Sequence, residues 1–338
     1  MLPCDASADA TAFAVNAMRE PEVHILLLNY NSLAKISACV ASLARLDYSS
    51  FRVLLIDNAS PDGSGRELER RFRTHRVLLN DRNLGYAGGN NAGIRVALQQ
   101  GAELVWILNP DTVVEPSSLR ELIDVHRTLR RPGLIGSLTL LDDSDRIYFY
   151  KGVIDPDGKL WHAHAGAPRS AVPELASSSA GETDFVNGAS MLFSKQVVDE
   201  VGLMTEDYFL YYEDSDWSLR VRAKAFENRV AYRSVVRHMR ADRPLTNYLA
   251  EYYTRRNEYF FRQRHGFGVS RARALARLRG RMAKYALRAL LGSRPEHNRN
   301  MCYVIGRVAL AIKESRLGPE RLELPYPEVS REAAVGIS

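Results

Sequence analysis

The chain of 338 residues is long enough to bury a full hydrophobic core, and 46% apolar with 25% charged residues is ordinary for a globular protein. No apolar run approaches the ~20 residues of a membrane-spanning helix, and three scattered cysteines form no metal motif or disulfide framework. Residues 1–20 carry Asp5 and Asp9 and lack a basic start followed by an apolar core, so we do not expect them to form a signal peptide. The net charge of +6 comes from one C-terminal segment, which indicates a local site rather than a generally basic protein.

Short apolar runs typical of β-strands alternate with helix-like segments through the first half of the chain. The predicted strands are 24–28, 52–56, 76–79 and 104–108, and the predicted helices are 32–46 (capped by Ser32), 65–73 and 90–100. Strands this apolar, alternating with helices, predict an α/β fold with a doubly wound, mostly parallel sheet covered on both faces. From about residue 134 the pattern becomes mixed, and from 243 it becomes helical.

Polar residues follow three of these strands directly, as Asn29-Tyr30, Asp57-Asn58 and Asn109-Pro110-Asp111. Ligands of parallel sheets bind beyond the carboxyl ends of the strands, so these residues predict a ligand site. Asp57 could accept hydrogen bonds from a pyrimidine base or a ribose. It could equally form an Asx turn that caps the next helix.

Three glycines, Gly85, Gly88 and Gly89, precede the predicted helix at Asn90. Glycines let a backbone approach a diphosphate or sugar closely, and a helix N-terminus favours negative charge. A flexible loop between strand and helix is the alternative. The spacing matches neither the dinucleotide-binding fingerprint nor a phosphate loop.

Asp111 follows a buried strand and a proline, where a carboxylate could hold Mg²⁺ or Mn²⁺ together with substrate phosphates. The alternative is a cap for the helix that begins near Ser117. His238 closes a strand-like run over 230–236 and could supply a nitrogen ligand to the same ion. A lone histidine at a strand end is more often structural.

Three carboxylates, Glu213, Asp214 and Asp216, lie within four residues ahead of a helix-like segment over 218–225. Because such groups repel one another, their clustering suggests a cation ligand or a general base. A solvated first turn, which the helix dipole would stabilise, is the alternative. The loop over 163–183 is a candidate mobile segment above the site.

Taken together and in this order, these residues resemble the family-2 inverting glycosyltransferases of the GT-A fold, in their bacterial rhamnosyltransferase-like branch. The matching segments are 28–32, 57–64, 83–94, 109–112, Asn187-Gly188-Ala189, 212–216 and His238. The resemblance covers about residues 22–238 and continues more loosely through Tyr252-Tyr253-Thr254-Arg255-Arg256-Asn257.

The resemblance implies a role for each site residue. The base and ribose would be held by Asn29, Tyr30, Asp57 and Asn58, and the ribose and diphosphate would be lined by Gly85, Ala87, Gly88, Asn90 and Asn91. Asn109 replaces the first aspartate of the family's Asp-x-Asp, and Asp111 would bind the metal with His238. Asp214 would be the catalytic base, with Glu213 orienting it or touching the donor sugar. Gly188 and Ala189 would leave room for the acceptor, and Asp216 would anchor the helix or an arginine such as Arg220.

The function implied is a Mg²⁺- or Mn²⁺-dependent inverting transfer from a dTDP- or UDP-sugar, with dTDP-rhamnose favoured. The acceptor would be a glycan or a lipid-linked oligosaccharide in bacterial cell-surface polysaccharide synthesis. A sugar-1-phosphate nucleotidyltransferase is the alternative enzyme, but it would need an early Gly-rich loop with Arg and Lys. A non-catalytic nucleotide- or glycan-binding relative is the third possibility.

The basic surplus lies in residues 271–288, which carry seven cations and no acid. On a helix, one face would carry Leu275, Leu278, Met282, Tyr285 and Leu290. This profile fits a helix lying on an anionic membrane surface through 271–291, or a helix packed on the core with a solvated basic face. No nucleic-acid recognition motif is present.

The sequence thus predicts a flexible lead-in over 1–21, a catalytic domain over 22–242 and a basic helical extension with a tail over 243–338. The expected location is the cytoplasm, with peripheral attachment to the inner face of the plasma membrane.

Overall fold

A computed structural model describes residues 20–142, 144–239 and 248–326. The predicted lead-in up to residue 19, the boundary near residue 242 and the tail beyond 326 lie outside the described residues. The strands are β1 Val23–Asn29, β2 Phe51–Asp57, β3 Arg76–Leu79, β4 Leu104–Leu108, β5 Thr112–Val114, β6 Pro132–Leu141, β7 Ile147–Phe149, β8 Gly152–Ile154, β9 Leu160–His162, β10 Ala180–Glu182, β11 Ser190–Ser194 and β12 Glu227–His238.

Helices lie on both faces of the sheet, and among the described residues three more follow its last strand in the C-terminal region. They are α1 Leu33–Leu43, α2 Ser64–Arg71, α3 Gly85–Gln99, α4 Ser118–Thr128, α5 Glu174–Ser177, α6 Lys195–Val201, α7 Glu213–Ala223, α8 Tyr248–Arg264, α9 Arg271–Leu290 and α10 Pro295–Glu314. Helices α1 and α4 contribute to one hydrophobic core, and α3 and α7 contribute to the core on the other side of the sheet. None of the helices in the described ranges is long and apolar enough to cross a membrane.

The central sheet has ten strands, in the order β10-β12-β6-β11-β4-β1-β2-β3, with β5 paired to β12 and β7 paired to β6. Strands β3, β2, β1 and β4 run parallel, and β11 runs antiparallel to both β4 and β6. The predicted doubly wound, mostly parallel first half is therefore confirmed. The carboxyl ends of β1, β2 and β4 meet at one edge, which brings the polar residues that follow them together.

Helix α3 begins at Gly85, five residues before its predicted start at Asn90. The Gly-rich segment therefore forms the first turns of the helix and is not a loop ahead of it. A Cβ on Gly89 would lie 2.6 Å from a methyl of Leu28, and one on Gly93 would lie 2.3 Å from a methyl of Ile56. Close packing on β1 and β2 outweighs the low helix propensity of glycine here.

Two other predicted boundaries differ from the structure. Helix α7 begins at Glu213, five residues before the predicted segment, and Glu213 and Asp216 in its first turn are buried. The alternative of a solvated acidic turn is therefore wrong. The segment 163–183 is also not a featureless loop, because it contains α5 and β10 and buries Val172 and Leu175 beside β7.

The predicted apolar face of the basic helix α9 is largely covered. Leu278 is buried, and Leu275, Met282 and Tyr285 pack with it in the hydrophobic cluster that α8 and α10 share. Leu290, the fifth residue of that face, is 84% exposed. These four side chains therefore pack on the protein, as the second of the two alternatives for this helix predicted.

Candidate active site

A strained turn delivers the acidic pair Glu213-Asp214 to the site. Phe209, Tyr211 and Tyr212 all have positive φ angles, of 66°, 68° and 77°, which side-chain-bearing residues seldom adopt. Such a conformation persists only where its surroundings hold it. Here the holding group is Asn257 of α8, whose side-chain amide donates to the carbonyl oxygens of Tyr208, Leu210 and Tyr211 at 2.8–3.0 Å.

The carboxylate of Asp214 is tied to the segment that enters β11. The backbone N–H of Gly188 donates to its Oδ2 at 3.0 Å, and the Ser215 hydroxyl donates to its Oδ1 at 3.0 Å. Asp214 itself is only partly buried, so its carboxylate can still be reached. A half-exposed carboxylate fixed by a backbone donor has the properties required of a general base.

Glu213 is an isolated buried acid beside Asp214. Its side chain is buried, and among the described residues its Oε2 has no hydrogen-bond partner. Burial and the neighbouring charge of Asp214 raise the pKa of Glu213 well above its usual value. The structure therefore favours the protonated form, which could donate a hydrogen bond to a substrate oxygen.

The hydroxyl of Tyr86 joins the predicted site residues, although the sequence analysis assigned it no role. It donates to the Gly188 carbonyl oxygen at 2.6 Å. Burial and the carboxylates of Glu213, Asp214 and Asp111 raise the pKa of Tyr86 well above its usual value. The Tyr86 hydroxyl and the Asp214 carboxylate therefore bond the same residue, Gly188.

Gly188 is where the acceptor was predicted to find room. A Cβ on this residue would lie 2.7 Å from the Tyr86 hydroxyl oxygen, so the missing side chain makes space for Tyr86. Its neighbour Ala189 is buried, and its carbonyl accepts from the backbone N–H of Asn109 at 3.0 Å. The segment thus connects Asp214, Tyr86 and the end of β4.

Asp111 and His238 come together as predicted, with the Nε2 of His238 3.5 Å from the Oδ1 of Asp111. His238 Nδ1 faces the Met239 carbonyl oxygen at 3.0 Å, and since a carbonyl only accepts, Nδ1 carries the proton. Its Nε2 faces Asp111 and could ligate a metal that the Asp111 carboxylate also binds. The ring of Tyr148 stacks on His238 and fixes its orientation.

One carboxylate and one imidazole fit a hard divalent cation that takes its other ligands from diphosphate oxygens and water. Across residues 20–142, 144–239 and 248–326, no three acidic, histidine or cysteine side chains gather into a fuller site. Asp111 and His238 therefore match a metal that binds together with the donor.

The predicted base and ribose residues lie at the ends of β1 and β2. Asn29 donates to the Asp57 carboxylate at 2.8 Å and to the Ser64 hydroxyl at 2.8 Å. The Asp57 carboxylate also accepts from the backbone N–H and the hydroxyl of Ser60, so a local turn forms, but Asp57 does not cap the helix that begins at Ser64. Tyr30 is 44% exposed beside this cluster and offers an open aromatic face.

Two asparagine side chains that were predicted to bind the nucleotide make hydrogen bonds within the protein. Asn58 donates to the Asn83 side chain and the Gly85 carbonyl oxygen and accepts from the Leu84 backbone N–H, which shapes the entry to α3. Asn91 exchanges hydrogen bonds with the backbone of Met204. These contacts position the loops, while nucleotide contact by either residue stays a prediction.

The other predicted residues of α3 differ in what they offer a ligand. Ala87 is packed in the hydrophobic core, and a Cβ on Gly88 would lie 2.8 Å from the Cβ of Leu84. Asn90 is buried, and among the described residues its Oδ1 has no partner although its amide donates to Tyr86. Of these residues, Asn90 keeps an acceptor free for a donor-substrate hydroxyl.

Asp216 serves as an anchor, as predicted. Burial alone would raise its pKa, but hydrogen bonds from His265 and Thr205 and the charge of Arg220 lower the pKa of Asp216 to about 2. The Arg220 Nε lies 3.0 Å from its Oδ2, and the His265 Nε2 lies 2.9 Å from its Oδ1. The C-terminal helices therefore hold the first turn of α7 from behind.

A profile of the family described as "Glycosyl transferase family 2" matches residues 24–202, just over half of the chain. The chain belongs to glycosyl transferase family 2. The matched range contains the ends of β1, β2 and β4, the Gly-rich helix and the Gly188 segment. Family membership favours the predicted transferase over a nucleotidyltransferase.

Two curated relatives are similar over the same region. The "Low-salt glycan biosynthesis hexosyltransferase Agl10" of Haloferax volcanii is 27% identical over 60% of this chain and 62% of its own length. The "N-acetylglucosaminyl-diphospho-decaprenol L-rhamnosyltransferase" of Mycobacterium tuberculosis is 26% identical over 57% of this chain and 67% of its own length. The aligned region thus spans about three fifths to two thirds of these relatives.

A solved structure shows that the fold is that of the GT-A glycosyltransferases. The "Mannosyltransferase PcManGT from Pyrobaculum calidifontis in complex with GDP-Man and Mn2+" superposes with a TM-score of 0.52 at 15% identity. The superposition covers 88% of this chain and 87% of that one, so it includes helices of the C-terminal extension. The predicted fold class is confirmed.

Replacing Asn257 with alanine is expected to lower kcat at least tenfold, because the turn over 208–212 would lose the donor that fixes its strained carbonyls. Unsatisfied buried carbonyls should also cost about 1–3 kcal/mol of stability. Initial rates and thermal unfolding of the purified variant provide the measurement.

Asn300→Ala is the matched control for this variant. Asn300 is a buried asparagine of α10 that also bonds backbone, through the Tyr326 carbonyl oxygen and N–H. We expect it to lose similar stability but to keep kcat. Equal kcat in the two variants, assayed well below both melting temperatures, would show that Asn257 supports only the fold.

Proposed function

We propose that the chain is a metal-dependent inverting glycosyltransferase. Its favoured donor is dTDP-rhamnose, and its acceptor is a hydroxyl of a glycan or lipid-linked saccharide in cell-surface polysaccharide synthesis. The observation that carries the proposal is the segment 188–189, which bonds the Asp214 carboxylate, the Tyr86 hydroxyl and the end of β4 that leads to Asp111. A rhamnosyltransferase among the relatives and a Mn²⁺ and nucleotide-sugar complex among the related structures support the choice of donor and metal.

The proposed mechanism is a single displacement. Asp214 takes the proton from the acceptor hydroxyl as that oxygen bonds to the anomeric carbon and the bond to the diphosphate breaks. Asp111 and His238 would hold the divalent ion, which when bound supplies positive charge to the departing diphosphate. Glu213 would donate to an oxygen of the donor sugar. The inversion follows because acceptor and diphosphate lie on opposite sides of the reacting carbon.

A thermal-shift panel with dTDP, UDP, GDP and CMP, each with Mn²⁺ or with EDTA, tests the donor assignment. A ligand that binds only the folded state raises its melting temperature. We expect the largest rise with dTDP, and only in the presence of Mn²⁺. A larger rise with UDP or GDP would reassign the donor base, and no rise with any nucleotide would contradict the transferase proposal.

Membrane attachment is proposed at the end of α9 rather than along its covered face. Leu287, Leu290 and Leu291 are 57%, 84% and 75% exposed, with Lys284 and Arg288 beside them. Apolar tips flanked by cations favour anionic bilayer surfaces. This would place the protein at the inner face of the plasma membrane, where a lipid-linked acceptor is available.

Exchanging both Leu290 and Leu291 for serine should weaken sedimentation with anionic vesicles at least tenfold, because burial of each leucine contributes roughly 1.5–3 kcal/mol. Leu79→Ser, at an exposed leucine of the edge strand β3, is the control and should sediment like the wild type. If the double variant also sediments like the wild type, this tip is not the attachment surface.

A further inference from the structure

A second charged cavity lies on the far side of the strained turn, among α8, α9, α10 and the turn between β8 and β9. Its volume is about 320 Å³, near the lower limit of small-molecule sites. The charged side chains that line it are Lys159, Arg255, Glu258, Arg262, Arg277 and Arg281. Five cations facing one carboxylate make this a site for an anion.

The two innermost arginines of this cavity are incompletely paired. Arg262 is only 7% exposed, its closest carboxylate contact is a loose 3.6 Å approach to Glu258, and its Nε has no partner among the described residues. Arg255 pairs with Glu251 through one terminal nitrogen at 2.6 Å, but its buried Nε is likewise unmatched. Burying guanidinium groups with unused N–H donors is costly unless an anion completes them.

The cavity adjoins the catalytic turn. Tyr212, directly before Glu213 and Asp214, packs its ring against Phe261 of α8 at a centroid distance of 5.3 Å. Phe261 lies on the same helix as Glu258 and Arg262, which line the cavity. An anion in the cavity would therefore contact the helix that packs against the turn carrying Asp214.

We propose that this cavity binds the phosphate or diphosphate group of the acceptor, an inference that rests on the proposed transfer to a lipid-linked saccharide. The donor diphosphate is assigned to Asp111 and His238, so the cavity would serve a second, separate anion. Planar arginine forks match phosphate oxygens in pairs, and buried Arg262 with exposed Arg277 and Arg281 offers such forks. A phospholipid headgroup has the same chemistry, and the experiments below separate the two sources.

The binding test uses inorganic pyrophosphate in EDTA, so that no metal recruits the probe to the donor site. Arg277→Gln with Arg281→Gln removes two exposed cavity cations, whereas Arg273→Gln with Arg279→Gln removes the same charge from exposed positions of α9 outside the cavity lining. Calorimetry should show pyrophosphate binding at least tenfold weaker in the first variant only. Equal affinities in the two variants, or no binding to the wild type, would overturn the proposal.

The transfer test compares a saccharide acceptor that carries a polyprenyl diphosphate with the same saccharide lacking phosphate. The cavity variant should raise KM for the first acceptor at least tenfold and leave kinetics with the second unchanged. If the variant keeps its KM for both acceptors but no longer sediments with phosphatidylglycerol vesicles, the cavity binds a phospholipid headgroup and the acceptor assignment is wrong. If the wild type transfers sugar to neither acceptor, the result counts against the proposed function. The pyrophosphate titration still tests anion binding by the cavity, because it does not depend on transfer.

Discussion

Asp214→Asn is expected to reduce sugar transfer by about 10²–10⁴-fold, the range typical for loss of a general base. The substituted amide can still accept from the Gly188 N–H, so the turn and the fold should remain intact. Donor binding should also remain, because Asp214 is assigned to the acceptor side. Initial rates of transfer, together with the dTDP-induced thermal shift in Mn²⁺, measure the two quantities separately.

Asp216→Asn is the matched control in the same helical turn. Asp216 is fully buried and holds Thr205, Arg220 and His265, so its loss should lower the melting temperature by several degrees. Below that temperature, the variant should retain most of its transfer rate. A transfer rate for Asp214→Asn within threefold of the wild type would contradict its assignment as the base.

The second large effect is expected from Asp111→Asn, which should abolish the Mn²⁺-dependent part of donor binding. Transfer should fall by roughly 10²-fold or more, since a metal that stabilises the leaving group supplies several kcal/mol. Asp111 is partly exposed and its carboxylate contacts His238 of β12 only at 3.5 Å, so stability should change little. Free Mn²⁺, followed by electron paramagnetic resonance during titration with dTDP, gives the affinity directly.

Asp145→Asn provides the comparison for the metal site. This carboxylate lies between β6 and β7, is 73% exposed and only approaches Arg237 at 3.6 Å. It should bind Mn²⁺ and dTDP as the wild type does. Retention of Mn²⁺-dependent dTDP binding by Asp111→Asn would remove Asp111 from the metal site.

The cluster of polar residues at one edge of the sheet could be predicted, because the hydrophobic strands end at polar residues. Strands β3 and β4 have their predicted limits, and β1 and β2 extend the predicted strands by one residue at each end. Because parallel strands place such ends together, the proximity of Asn29 and Asp57 follows from the sequence. Tertiary packing is harder to foresee, and the start of α3 at Gly85 shows why. A Cβ there would lie 2.2 Å from the Phe209 carbonyl oxygen, a contact that sequence periodicity does not contain.

The sequence did not predict the contacts that hold Glu213 and Asp214 in place. Asn257 lies 46 to 49 residues beyond the carbonyls that it bonds, and only its place in the run Tyr252–Asn257 marked it. Tyr86 was inside the Gly-rich motif, but its hydroxyl meets its partner, the Gly188 carbonyl oxygen, only in the folded chain. Long-range contacts of this kind give roles to residues whose local sequence looks structural.

The most direct test of the central claim is the anomeric configuration of the product, determined by NMR after incubation with dTDP-rhamnose, Mn²⁺ and a lipid-linked saccharide acceptor. A single displacement with Asp214 as base predicts one dTDP released per sugar transferred and a product whose configuration is opposite to that of the donor. A product that retains the donor configuration would contradict the mechanism. Release of dTDP with free sugar as the only product would contradict transfer to an acceptor.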